Sequence, residues 1–268
     1  MSARRLLGLA ALATAGVVAF TGCGSAQAER PQAAPEQVAM MAAGARVTPS
    51  PEVQAPTSRL RLGSTGKAVT WLQKRLAQLG YRPGRADGRY GGSTLTAVWA
   101  FQKVNGIHPS SIVGKRTWTA LEHPKTPTVL VKDGAPTRVE VNLTKQVMVY
   151  YVDGQVKLIT HISSGSGVAY CQQATWQGKS QRFCGSARTP TGDYKTTWRA
   201  SGWHKSYLGQ LYNPIFFNGG IALHGALSVP LYPASHGCVR MPMNVAQALP
   251  AMLGKGVPVH VRGSFHRV

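Results

Sequence analysis

The residues best suited to chemistry sit together near the C-terminal end, in Ser235-His236-Gly237-Cys238-Val239-Arg240. A thiolate, not a thiol, is the nucleophile, and it forms at neutral pH only beside a base or a positive field. His224 lies fourteen residues upstream of Cys238, in Ile221-Ala222-Leu223-His224-Gly225. It is the candidate base if the two segments are adjacent strands, or a strand and a loop. His236 is poorly placed for that work, because side chains two apart on an extended strand share a face without pointing at each other. It is read as a structural residue that holds the turn or hydrogen-bonds nearby backbone. Gly237 lets the backbone bend sharply, and the backbone N–H groups of His236, Gly237 and Cys238 would form an oxyanion hole. Arg240 would lower the Cys238 pKa or hold a substrate carboxylate. Ser235, Gly225 and Asn218 join Arg240 as candidate substrate-binding residues. The competing readings are a buried or disulfide-bonded Cys238 and a core His224. An H-x-C spacing lacks the further ligands a zinc site needs, so no metal is expected.

Composition narrows the field. The chain has 268 residues, 30 Lys+Arg against 9 Asp+Glu, and a formal net charge of +21. Hydrophobic residues make up 43%, which suits a globular protein with one or two cores and excludes a fully disordered one. No acidic side chain follows Asp193. That argues against a paired-carboxylate glycosidase, against an oxygen cage for calcium, and against an acidic triad member late in the chain. His224 is then expected to be oriented by a backbone carbonyl, an amide or a hydroxyl, with Asp193, which sits near a turn, as the other choice. The basic charge implies a polyanionic setting, and nucleic acid, anionic lipid and anionic cell-wall polymer would all attract such a surface. The Lys and Arg are dispersed, and no zinc-finger, RNA-binding or basic-zipper pattern is present, so nucleic acid is not expected.

The first segment is read as an export signal. Arg4 and Arg5 precede an apolar stretch from Leu6 to Phe20, short for a membrane span and right for a signal-peptide core. Two processing sites remain open. Ala26-Gln27-Ala28 fits ordinary signal peptidase, and Phe20-Thr21-Gly22-Cys23 resembles a lipobox in which Cys23 is lipidated. Either places the mature chain outside the cytoplasm, where disulfides persist. Cys171 and Cys184 suit that setting; they enclose 12 residues, and a bridge there is worth about 3 kcal/mol in the loop-entropy model. Cys238 is then left free.

The elements that must position these residues fall into two units. Residues 29–58 are rich in Ala, Pro, Gln and Glu and read as a flexible tether. In 59–122, Val69, Leu72, Leu76 and Leu79 recur at helical spacing, Gly80 ends that helix, and Ser93 or Thr94 would cap a second helix carrying Ala97, Val98 and Phe101 inward. A third short helix follows Gly114, with Trp118 and Leu121. Residues 123–137 hold Pro124, Pro127 and Pro136 and read as an interdomain connection. In 138–263, Val139 and Val141 alternate with polar residues. Asp153-Gly154 joins two strand-like runs as a hairpin. Val257, Val259 and Val261 form a closing strand, and Val245 to Met252 a short helix interrupted by Pro250. The expected architecture is a multidomain chain: a small three-helix all-α module, then a mainly β domain, sandwich or barrel-like.

Leu72-Gln73, Leu79-Gly80-Tyr81, Asp87-Gly88-Arg89-Tyr90-Gly91, Phe101-Gln102 and Thr117-Trp118 resemble the peptidoglycan-binding domain 1 family. Tyr81, Arg89 and Tyr90 are contact candidates, and Asp87 a turn former. The upstream His224-Gly225, Arg188-Thr189-Pro190-Thr191-Gly192-Asp193, Phe217-Asn218-Gly219-Gly220 and Ser235-His236-Gly237-Cys238-Val239-Arg240 resemble the L,D-transpeptidase (YkuD-type) catalytic family. The Cys171 to Cys184 insertion is not part of that motif and is expected to staple one edge of the site. His204 is read as a groove or a surface residue, and Trp176 and Trp198 as packing residues.

The resemblance implies a mechanism with no cofactor. Cys238 attacks the carbonyl of the third residue, a diamino acid, of a peptidoglycan tetrapeptide stem. His224 relays the proton to the departing D-Ala, and the thioester passes to a second stem as a 3→3 cross-link. It also implies acylation of Cys238 by carbapenem β-lactams and a place in the bacterial cell envelope, lipid-anchored or free. A carboxypeptidase or D-amino-acid exchange enzyme on the same fold, or an inert wall-binding protein, are the alternatives.

Overall fold

The computed structural model describes residues 54–265. The apolar stretch 6–20, Cys23 and the tether up to residue 53 lie outside the described residues.

Three helices come first: α1 (Lys67–Gln78), α2 (Gly92–Val104) and α3 (Lys115–Glu122). Helical spacing turns Val69, Leu72 and Leu76 to one buried face, with Leu79 partly buried beside them. Leu79 caps α1, and Gly80 follows at φ +85°, the left-handed conformation that ends a helix without a Cβ penalty. Ala97, Val98 and Phe101 face inward from α2. Neither Ser93 nor Thr94 caps that helix; Gly91 does, without a side-chain bond. Thr94 is buried instead, where its hydroxyl donates to the Pro83 carbonyl (3.0 Å) and accepts from Gln73 Nε2 (3.1 Å). Tyr81 and Tyr90 are core residues rather than contact residues, and only Arg89 of the three candidates is exposed. Asp87 forms the turn: Gln73 Nε2 and the Arg89 N–H both donate to its Oδ1, at 3.0 and 2.9 Å. Those two bonds, Gln73 foremost, hold its carboxyl below the usual range.

Residues 55–58, expected in a flexible tether, are docked instead. The Ala55 N–H donates to Glu122 Oε1 (2.9 Å), and Trp118 Nε1 donates to the Ser58 carbonyl (2.8 Å). These bonds use backbone groups, which composition does not display.

Two sheets follow. The first has the order β3-β2-β1-β11-β6, from β1 (Arg138–Asn142), β2 (Val147–Val152), β3 (Gln155–His161), β6 (Gly192–Lys195) and β11 (Pro258–Arg262). The second has the order β10-β9-β8-β7, from β7 (Trp203–Ser206), β8 (Gly209–Asn218), β9 (Ile221–Gly225) and β10 (Val239–Met241). A separate hairpin joins β4 (Ala169–Trp176) to β5 (Lys179–Ser186). The Asp153-Gly154 turn forms, both residues at positive φ (49° and 78°), and links antiparallel β2 and β3. Helix α4 (Met243–Met252) runs on past Pro250 rather than stopping at it. Residues from both sheets and from α4 share one core, including Val141, Met148, Leu158, Phe217, Leu223, Met241 and Leu249.

The alternation along β1 to β3 suggests one wet face, yet both faces are covered. Val147, Val149, Tyr151 and Ile159 point away from the core just described and join the same cluster as Phe101 and Val104 of α2. Arg138 and Glu140, on that outer face of β1, are buried as an ion pair (2.7 Å). The Leu130 and Val131 N–H groups also donate to the Glu140 carboxylate, so the 123–137 connection is laid along the sheet. A buried charge needs that full set of partners.

Candidate active site

Cys238 precedes β10, which runs parallel to β9 with Val239 opposite Leu223 and Arg240 opposite His224. Leu223 and Val239 face the core, so His224 and Arg240 face the other way. Cys238 falls on that same outward face, beside Ala222, and His224 is its diagonal neighbour across the two strands. Cys238 is a free, half-buried cysteine. Its Sγ accepts from the Ala222 N–H (3.4 Å) and donates to the Gly220 carbonyl (3.6 Å).

His224 is 5% exposed. Its Nδ1 lies 2.9 Å from the Gly225 carbonyl, an acceptor only, so Nδ1 carries the proton and Nε2 is left unprotonated. Among the orienting groups open from sequence, a backbone carbonyl does this work. Asp193 does not: it sits on β6 and accepts from His260 Nδ1 and Arg262. Burial pulls His224 down to about 4, and the Arg240 charge pulls the same way. The expected drop in the Cys238 pKa is absent. Burial pushes the thiol up, and the Ala222 N–H and Arg240 only partly oppose it. Thiol and imidazole are therefore both neutral at rest.

The turn before Cys238 is built by Ser235 and Thr189. Ser235 Oγ accepts from the Gly237 N–H (3.0 Å) and donates to the Cys238 carbonyl. Its hydroxyl is spent on the turn rather than on substrate, and the Gly237 N–H is withdrawn from any oxyanion hole. Gly237 has φ +140°, and a Cβ there would lie 2.9 Å from the Arg188 carbonyl oxygen. Thr189 Oγ1 donates to the Gly237 carbonyl (2.6 Å) and accepts from the Gly165 N–H (2.8 Å). Nothing in its own chemistry marked Thr189, beyond its place in Arg188-Thr189-Pro190. A Thr189→Val protein leaves both buried partners unpaired. It is expected to lose about 2–4 kcal/mol in urea unfolding, with Thr189→Ser restoring most of it.

His236 does not hold this turn; it stacks edge-on against Tyr170 of β4, centroids 4.8 Å apart. Gly225 is not at the cleft surface. It packs under Ala246, where a Cβ would approach within 2.8 Å, and supplies the carbonyl that orients His224. Asn218 ends β8 beside the Gly219-Gly220 turn and is not among the cleft-lining residues.

A cleft of about 740 Å³ opens over Cys238, His224, Arg240, His236 and Ser235. Its walls hold Tyr170, Trp176, Trp198, Trp203, His204 and Tyr207. No Asp or Glu lines it, whereas Arg188 and Arg240 do. Trp198, read as a packing residue, is 49% exposed and stacks on Phe216 (3.9 Å between centroids). One wall is the β4–β5 hairpin, where Cys171 and Cys184 are directly opposed and joined by a disulfide. The hairpin leans on the β7–β8 turn through Phe183 stacked on Tyr207 (4.2 Å) and Gln172 Nε2 donating to the Tyr207 carbonyl (3.1 Å). Among the described residues, no cluster of His, Cys, Asp and Glu is suited to hold a metal.

Comparison with known proteins gives this geometry its setting. Residues 65–121 match the family model for a peptidoglycan binding domain, and residues 136–261 match that for the L,D-transpeptidase catalytic domain. The crystal structure of an L,D-transpeptidase from Xylanimonas cellulosilytica is 38% identical; the match covers 78% of this chain and 98% of that one, with a TM-score of 0.67. An L,D-transpeptidase (Yku) from Stackebrandtia nassauensis is 26% identical over 79% of this chain and 98% of that one, with a TM-score of 0.44. An uncharacterised protein encoded in the bpoA1 3′ region of Kitasatospora aureofaciens is 35% identical over 98 residues, 31% of this chain and 83% of that protein. These matches, over a helical module followed by a mainly β domain, show that the chain belongs to the L,D-transpeptidase family.

Proposed function

We propose that the protein cross-links peptidoglycan stems through a thioester on Cys238. The observation that carries this reading is a free thiol on one sheet face with a neutral, carbonyl-oriented His224, in a cleft lined by arginines and lacking acids. A tetrapeptide stem brings carboxylates and amides, and an acid-free wall with Arg188 and Arg240 suits them.

In the first half-reaction Sγ attacks the carbonyl carbon of the third stem residue, and the thiol proton passes to His224 Nε2. The tetrahedral oxyanion takes hydrogen bonds from the N–H groups of His236 and Cys238, since that of Gly237 is committed to Ser235. The C–N bond to D-Ala breaks, and His224 returns its proton to the departing amine. In the second half-reaction a neutral side-chain amine of another stem attacks the thioester, gives its proton to His224, and leaves a 3→3 amide with Cys238 reprotonated. No ATP is needed, because the thioester conserves the acyl activation of the broken peptide bond. Carbapenems would enter the same cleft and acylate Cys238. Export, with Cys23 either lipidated or removed with the leader, would place the chain at the wall, and its net charge of +21 suits anionic wall polymers.

Intact mass after carbapenem treatment tests the nucleophile. One covalent adduct is expected on the wild type and none on Cys238→Ala, and only the wild type should form 3→3 dimers from purified tetrapeptide stems. Dimers made equally well by Cys238→Ala would end the proposal.

A further inference from the structure

One buried polar chain takes no part in the proposed chemistry. Lys103, on the last turn of α2, donates from Nζ to the Gln146 carbonyl (3.2 Å) and lies 2.8 Å from His161 Nδ1. His161 ends β3 and is fully buried. Its Nε2 is 2.9 Å from the Val229 carbonyl. That carbonyl can only accept, so Nε2 carries the ring proton and Nδ1 accepts from Lys103. Trp99 of α2 closes on the ring edge-on, centroids 5.3 Å apart.

Val229 belongs to the segment between His224 and Cys238. Ala226, Leu227 and Ser228 of that segment line the cleft, and Leu227 is 85% exposed. The far end of the segment is fixed by Ser163 and Ser164: Ser163 Oγ donates to the Tyr232 carbonyl (2.8 Å), and the Ala234 and Ser235 N–H groups donate to the Ser164 carbonyl (3.0 Å each). Ser164 is held in turn by the Gln146 side chain, through bonds of 2.8 Å to its N–H and hydroxyl. Lys103 therefore touches both routes to this rim, one through His161 and one through the Gln146 backbone.

We infer that Lys103 and His161 are positioning residues through which the helical module holds the 226–234 rim in its substrate-binding shape. The inference rests on the cleft being the site of the donor stem. Neither side chain reaches the cleft, so the effect falls on binding rather than on the thiol chemistry.

The test uses the full chain with Lys103→Met, His161→Phe and His161→Gln, the last restoring an N–H donor at the Nε2 position. Tetrapeptide-stem KM is expected to rise about five- to tenfold in Lys103→Met and His161→Phe with kcat within about twofold, and to return near the wild-type value in His161→Gln. Chymotrypsin cleavage after Leu227 is expected to quicken about tenfold in the same two variants. Should His161→Phe fail to fold, Lys103→Met, which keeps the aliphatic stem, carries the measurement. Unchanged KM and unchanged cleavage in folded Lys103→Met overturn the inference. So does a fall in kcat that tracks Tm with no rescue by His161→Gln. If the wild type itself turns over no stem, the donor-site reading fails instead, and cleavage at Leu227 still reports on the rim.

Discussion

A His224→Gln protein is expected to acylate Cys238 about a thousandfold more slowly than the wild type, with its fold intact. The size of the effect follows from the resting charge state. Burial keeps the Cys238 thiol above its ordinary range and holds His224 at about 4, so no preformed thiolate–imidazolium pair waits for substrate. On the proposed mechanism the proton leaves during attack, and His224 Nε2, oriented through the Gly225 carbonyl, would accept it. The sign of the pH dependence is fixed by the same facts. A base works while unprotonated, so kcat/KM is expected to stay level as pH falls through the ordinary histidine value of 6.5 and to drop only near 4. In His224→Gln the residual rate should instead climb about tenfold per pH unit on the alkaline side, since hydroxide then has to make the thiolate. Carbapenem acylation followed by mass across pH 4 to 9 reads both profiles. A limb near 6.5 in the wild type, or a level profile in the variant, would contradict this account.

Removal of the helical module, residues 54–122, is expected to leave a catalytic domain that is largely insoluble and binds ANS. Val147, Val149, Tyr151 and Ile159 share a buried cluster with α2 and its neighbours, which cover most of that face beside the 123–137 segment. Each such side chain is worth about 1.5–3 kcal/mol in burial. Laid bare together they make a contiguous apolar patch on a sheet, an aggregation liability. Adding Val149→Lys and Ile159→Lys to the shortened chain should restore soluble yield, because both side chains would then face water. A shortened chain that is monomeric and unfolds within a few degrees of the full protein would show that the seam contributes little.

Local patterns were the legible part. The apolar spacing of Val69, Leu72 and Leu76 and the Asp153-Gly154 turn are set by neighbours within a few residues, and both are found as expected. The thiol motif and the upstream histidine could be picked out by residue type, and the two strands that carry them prove to be neighbours. What could not be read depends on distant partners. The parallel pairing of β1 with β11 joins residues over a hundred positions apart, and no local signal announces it. Arg138 and Glu140 look like the wet face of a strand until the 123–137 segment closes over them. Thr189 matters because it reaches Gly165 and Gly237, neither adjacent in sequence. The thiol's upward shift was missed because the Arg240 charge is visible in sequence and burial is not.

Because α2 shares a cluster of side chains with β2 and β3, the helical module and the catalytic domain pack as one unit. On the proposed function, a module docked on the wall would carry the sulfur at a set distance from the strand it holds. Reach would then be set by the dimensions of that unit and not by the length of a leash. Stems at the wrong spacing would stay out of range, and the molecule would act on the wall as a caliper.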